Sequence, residues 1–309
     1  MKQTVFISAI VILAHCTAQK KMPRAVPVIK DGIYSIKLQN QELEADPQTG
    51  GRIISLKIDG RNFFTGKDIN PLYWGSTFWA SPQKIWGGPK LLALDKEAYA
   101  ASIENQIIKM VSQKDSRFGF VFTKEISGNN QDSSFTITYA ILNQSDTARK
   151  VAPWEVTRVY PDGLAFYPRG DGERWGNMAN QAEDINGITW FNYRKDKIMD
   201  QQNKFFADGS EGWIAQVNDD IIFVKSFPDI PLEKAAPSEA EVEIYTNPQK
   251  SYVEIEQQGA YVELPPGASL RWQVTWYLRK LPADIKREKG NPGLVSYARK
   301  LVNAHKKFK

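Results

Sequence analysis

The chain has one cysteine, Cys16, and two histidines, His15 and His305, in 309 residues. A single thiol near the start excludes disulfides, a thiolate metal site and a cysteine nucleophile from the body. The two histidines flank the body, one near each end, which excludes an imidazole-ligated metal centre or a Ser-His-Asp triad in the core. No glycine-rich phosphate loop is present: Gly170-Asp171-Gly172 lacks the downstream glycine and the following helix that such a loop needs, so no cofactor and no metal are expected. Charge of one sign is also missing as a block. Lys plus Arg number 40 and Asp plus Glu 35, and they are mixed along the chain rather than gathered in a basic stripe, which argues against nucleic acid as a partner.

Long hydrophobic runs are confined to the start. Residues 1–18 have Lys2, an apolar run over 5–14 too short to span a bilayer, and small residues before position 19, the pattern of a signal peptide. The expectation is a periplasmic or secreted protein cleaved after Ala18, or alternatively a lipoprotein anchored through Cys16. Residues 19–30, with Pro23 and Pro27, read as a linker, 31–282 as one domain, and 283–309 as a C-terminal helical tail.

What is abundant is aromatic and β-forming. Nine Trp, twelve Tyr and fifteen Phe supply rings for a large core and for a ligand site. Short segments rich in β-branched or aromatic residues recur at 33–38, 52–58, 106–111, 118–124, 134–142, 221–225 and 241–245, separated by turns such as Asp59-Gly60 and Pro265-Pro266-Gly267. In 270–278, Leu270, Trp272, Val274, Trp276 and Leu278 alternate with other residues, so one face is buried. Helical spacing is convincing only at the end, where Leu294, Tyr297, Ala298, Leu301 and Val302 share a face after Pro292. The fold class is therefore all-β with a short C-terminal helix.

Three segments carry candidate chemistry. The run 73–89 holds Trp74, Trp79 and Trp86 with Ser81, Gln83 and Lys84 in a stretch punctuated like a loop. Indole faces suit the C–H surface of a sugar and amides suit its hydroxyls, although the same rings could cap a sandwich core. In 251–258, Tyr252, Glu254 and Glu256 fall on one strand face and Val253 and Ile255 on the other. Two carboxylates about 7 Å apart along a strand raise each other's pKa if the face lines a cleft, and are merely polar if it is solvated. In 151–158, Trp154 and Arg158 share a face while Glu155 points the other way. Arg169, Asp171, Glu173, Arg174 and Trp175 read as a polar loop with surface ion pairs.

These segments resemble the galactose-mutarotase-like superfamily, and more closely the bacterial domain-of-unknown-function family 4380. Residues 50–62 look like the opening mutarotase hairpin, 74–83 and Pro153-Trp154-Glu155 resemble the uncharacterised family, and 255–258 with Pro265-Pro266-Gly267 are similar to the closing mutarotase segment. The resemblance implies a β-supersandwich of two large twisted antiparallel sheets with a sugar site. It places Glu256 on the general base that takes the anomeric proton. The family's acid histidine has no match, so donation would fall to Glu155 or Tyr252. Three readings follow: a carbohydrate-binding protein contacting a mono- or oligosaccharide through Trp74, Trp79, Gln83, Trp86, Trp154, Arg158, Tyr252 and Glu254; an aldose 1-epimerase-like enzyme using Glu256 and Glu155; and a non-catalytic envelope interaction module.

Overall fold

Alternation of apolar and polar side chains along short segments can be satisfied only if each segment buries one face, and the chain does so by stacking two antiparallel sheets. The structure, a computed structural model, describes residues 24–87, 91–194, 196 and 203–306. Cys16, His15 and the whole expected export segment lie outside the described residues. No helix among the described residues is long and apolar enough to cross a membrane.

The first sheet has eleven strands, running in spatial order Val28–Lys30, Ile33–Leu38, Gln41–Asp46, Arg52–Ile58, Ser76–Ser81, Arg149–Val159, Val253–Gln258, Val242–Thr246 and Asn203–Ala207, with two short strands off this path. The second has ten: Glu183–Ile185, Ile188–Tyr193, Gly163–Pro168, Trp213–Asn218, Ile221–Ser226, Ser269–Lys280, Ser134–Asn143, Phe120–Asn129, Ile107–Val111 and Ala100–Glu104. The inner faces meet in one core. Phe135, Ile137, Tyr139 and Ile141 of one strand and Trp272, Val274, Trp276 and Leu278 of its partner all enter it, as their alternation requires. On the outer face of the second sheet the helix Pro292–Lys306 lays Leu294, Val295, Ala298 and Val302 over Phe166, Trp190 and Trp213 in a separate apolar cluster.

Several boundaries move. Val28–Lys30, within the expected linker, is a strand paired with Ile33–Ser35. The helix begins at Pro292, where the sequence spacing puts its first turn, inside the 283–309 tail. Ser76–Ser81, expected as part of a loop, is a fully buried interior strand. With both of its faces covered it needs no alternation, so period-2 spacing could not reveal it.

Candidate functional site

Five neighbouring strands of the first sheet carry chemistry on their outer face, and the register states which residues share it. Trp154 pairs with Gln258 and Trp79, Val156 with Glu256 and Thr77, and Arg158 with Glu254. Glu256 pairs onward with Glu243, and Glu254 with Tyr245. The edge strand adds Phe206 beside Glu243 and Lys204 beside Tyr245. Because paired residues and their i±2 neighbours point the same way, all these side chains rise from one surface.

The floor is an ammonium between two carboxylates. Glu256 is fully buried, and its Oε2 accepts from Trp154 Nε1 at 2.8 Å and from Lys204 Nζ at 2.9 Å. Lys204 Nζ also lies 2.5 Å from Glu243 Oε2. Glu243 in turn accepts from the Ala240 amide at 2.9 Å and from Gln258 Nε2 at 2.8 Å. Glu256 Oε1 is buried and accepts no hydrogen bond among the described residues. Burial pushes the Glu256 carboxyl up to about 8 and Glu243 up to about 7, against the pull of Lys204. Burial alone would lower Lys204, but the two carboxylates together hold its ammonium above the ordinary lysine value. One cation cannot neutralise two anions in so dry a place, so near neutrality the carboxyl pair retains a proton.

Above this floor a cavity of about 510 Å³ opens. Its walls are rings: Trp79 and Trp154 meet edge to face with centroids 5.1 Å apart, and Tyr252 lies 6.4 Å from Tyr73 and 6.3 Å from Tyr245. Asn70, Gln83, Asn177, Asn247 and Gln249 supply amides at the lining, with Lys204 and Glu254 as the charged members. Burial, then the Glu254 charge, push the Tyr245 hydroxyl up to about 12, so it stays a neutral donor and acceptor. Glu254 is held by Arg158, whose Nε donates to Oε1 at 2.7 Å while Nη1 donates to Thr77 Oγ1 at 2.9 Å. The Arg158 guanidinium also lies 5.1 Å from the Trp79 ring centroid and 5.7 Å from that of Tyr73, bracing two walls from behind.

Of the residues singled out from sequence, Trp79, Gln83, Trp154, Tyr252 and Glu254 line this cavity. Glu256 lies beneath it through Trp154 and Lys204, and Arg158 stands behind Glu254. Ser81 and Lys84 do not line it, and neither do Glu155, Trp74 and Trp86. Glu155 points between the sheets, where it accepts from Tyr139 at 2.6 Å and Gln257 at 2.6 Å and pairs with Lys225 at 2.9 Å, so it cannot deliver a proton to a ligand over Glu256. Trp74 is buried under the Arg52 guanidinium, 5.0 Å from its ring centroid. Trp86 is buried with its indole N–H on the Ala80 carbonyl, and its ring meets Trp79 without lining the cavity. Residues not anticipated are Tyr73, Lys204, Phe206, Glu243 and Tyr245. Glu243 and Tyr245 carried a usable signal, since they alternate with Val242 and Ile244 in a segment already read as a strand. Lys204 carried none, its strand being only five residues long with the adjacent Phe205 and Phe206 masking the alternation.

The two-sheet architecture matches solved structures. A galactose mutarotase-like protein from Lactobacillus casei ATCC 334 is similar at 12% identity, covering 80% of this chain and 100% of that one, with a TM-score of 0.57. One from Clostridium acetobutylicum matches at 11% identity over 84% and 99%, with a TM-score of 0.51. A TPR-domain containing protein from Parabacteroides distasonis ATCC 8503 matches at 14% identity and TM-score 0.59 over 82% of this chain, which spans only 48% of that longer protein. At such identities the likeness establishes the fold alone. No curated protein sequence matches the chain. The family described as Domain of unknown function (DUF4380) matches residues 92–279, more than half of the chain, and the protein belongs to that family.

Proposed function

We propose that the protein binds a saccharide in the outer-face cavity of the first sheet. One observation carries this reading: indole and phenol rings wall a hollow of about 510 Å³ in which Trp154 and Lys204 are held from beneath by the buried carboxyl of Glu256. Rings offer stacking surface to C–H faces, and the amides and Glu254 offer partners to hydroxyls, the combination that a small polyol with two unlike faces requires. The interaction-module reading lacks support of this kind, since it needs no open cavity beside Glu256. The mutarotase-like neighbours are consistent with a sugar ligand. Titrating the protein with a broad panel of mono- and oligosaccharides should quench or shift tryptophan emission and give calorimetric heat for at least one sugar. A flat response across the panel overturns the reading.

A second reading, epimerase-like catalysis, is favoured by the unpartnered Oε1 of Glu256 and by its raised pKa. It needs a proton donor, which the placement of Glu155 denies it from that side. NMR exchange spectroscopy on aldose anomers decides the matter: catalysis requires acceleration over buffer that Glu256→Gln abolishes.

The leader pattern in 1–18 supports export to the periplasm or beyond, the cell-envelope setting in which we place this binding activity. Mass spectrometry of the mature protein should show cleavage after Ala18. A diacylglyceryl group on Cys16 would replace that expectation with a lipid anchor.

A further inference from the structure

Trp175 is 43% exposed, whereas each of the other tryptophans is buried. A lone exposed ring is ordinary, but this one is fixed in register with the site. Its backbone pairs with Phe206 of the edge strand, N–H to carbonyl in both directions at 3.1 and 2.9 Å, and a second bridge joins Arg169 to Gly209. The loop thus acts as one more strand. Paired residues share a face, so Trp175 continues the row formed by Val156, Glu256, Glu243 and Phe206. The indole stacks on Phe206 with centroids 3.8 Å apart and planes 6° from parallel. Phe206 lines the main cavity, and Trp175 lines a smaller hollow beside it with Glu173 and Glu239.

From Glu256 to Trp175 are three strand steps, roughly 14 Å at ~4.8 Å per step. A single pyranose over Glu256 cannot span that distance; a chain of about three can. We infer that the cavity receives one end of a glycan chain whose further units run over the edge strand and stack on Trp175. This rests on the saccharide reading above and names the ligand class as oligosaccharide rather than monosaccharide. The indole already has its orientation fixed by the bridge and the stack, so little freedom is lost when a sugar covers it.

Calorimetry with monosaccharides and with the cello-, malto-, xylo- and galacto-oligosaccharides of two to four units tests the inference. The expected result is at least one series in which affinity climbs to the third unit. Trp175→Ala should remove on the order of tenfold of that gain, the loss of one stacked ring, and leave the monosaccharide affinity as it was. Trp175→Phe keeps an aromatic ring on Phe206 and should retain most of the gain, which separates a lost platform from a disturbed loop. If a monosaccharide binds as tightly as its oligomers, or if Trp175→Ala weakens all lengths alike, the inference fails and the saccharide reading stands. If no sugar binds, both fail.

Discussion

Lys204 is the only cation touching Glu243 and Glu256 among the described residues, and removing it leaves two buried carboxyls facing each other. Lys204→Met is expected to cost about 3–5 kcal/mol at pH 8, the penalty of breaking a buried pair, and less at pH 5, where both carboxyls can hold protons. Urea denaturation at the two pH values measures this; an equal cost at both would contradict the account. The wild type should itself depend on pH. Glu243 and Glu256 titrate near 7 and 8 when folded but start from about 4.5, so between those limits the native state binds more protons than the unfolded chain. Stability therefore falls as pH rises through that window. Lys124, buried with its Nζ on the Gly50 and Gly51 carbonyls, is lowered to about 7 and acts in the opposite sense only above that value. Glu241, which burial pushes up to about 8, adds to the fall, so denaturation midpoints should decline between pH 5 and 7, with Glu256→Gln showing a shallower slope. Sequence spacing made Glu254 and Glu256 legible as a pair on one face because alternation is a local property. Their consequence was not legible, because Lys204 reaches Glu256 across 52 residues of chain.

At the scale of elements, the turn at 49–51 supports a wall of the cavity from outside it. Gly50 and Gly51 both have left-handed backbone, with φ of +64° and +53°, and a Cβ on Gly50 would sit 2.2 Å from the Asp95 carbonyl oxygen. Asp95 Oδ1 accepts from Trp79 Nε1 at 2.7 Å and so fixes the ring that walls the site. Gly50→Ala should destabilise by about 1–3 kcal/mol, through strained backbone and overpacking, and should weaken any saccharide response by loosening Trp79. Thermal melting and tryptophan emission would report the two effects together; a melting loss with an unchanged ligand titration would refute the link to Trp79. The strands that could be read from sequence, such as Ser134–Asn143 and Ser269–Lys280, each put a continuous set of large side chains into the core. Asn203–Ala207 could not, because it has five residues and its adjacent Phe205 and Phe206, one on each face, hide the alternation.

In the whole molecule, the cavity and the helix Pro292–Lys306 occupy opposite outer faces, separated by both sheets and the core between them. Damage to one should spare the other. Leu294→Ala, at a fully buried position under the helix, should cost about 2–5 kcal/mol while leaving saccharide titrations unchanged. Coupled loss of stability and binding at temperatures where the variant remains folded would show that the faces communicate. The fold class followed from alternation and turns alone, since two stacked antiparallel sheets are the general solution for many half-buried strands. Which outer face would host a ligand did not follow, since that depends on strand order, and strand order is set by contacts between distant segments.

The strand Arg149–Val159 sends Trp154 outward to Glu256 and, one position later, Glu155 inward to Tyr139, Gln257 and Lys225. A slip of one residue during assembly would exchange the two, burying an indole against a lysine and lifting a carboxylate into the aromatic wall. Misalignment is thus penalised on both sides of the sheet at once. The contacts of Trp154 with Glu256 on one side and of Glu155 with Lys225 on the other both favour the alignment in which the hollow exists.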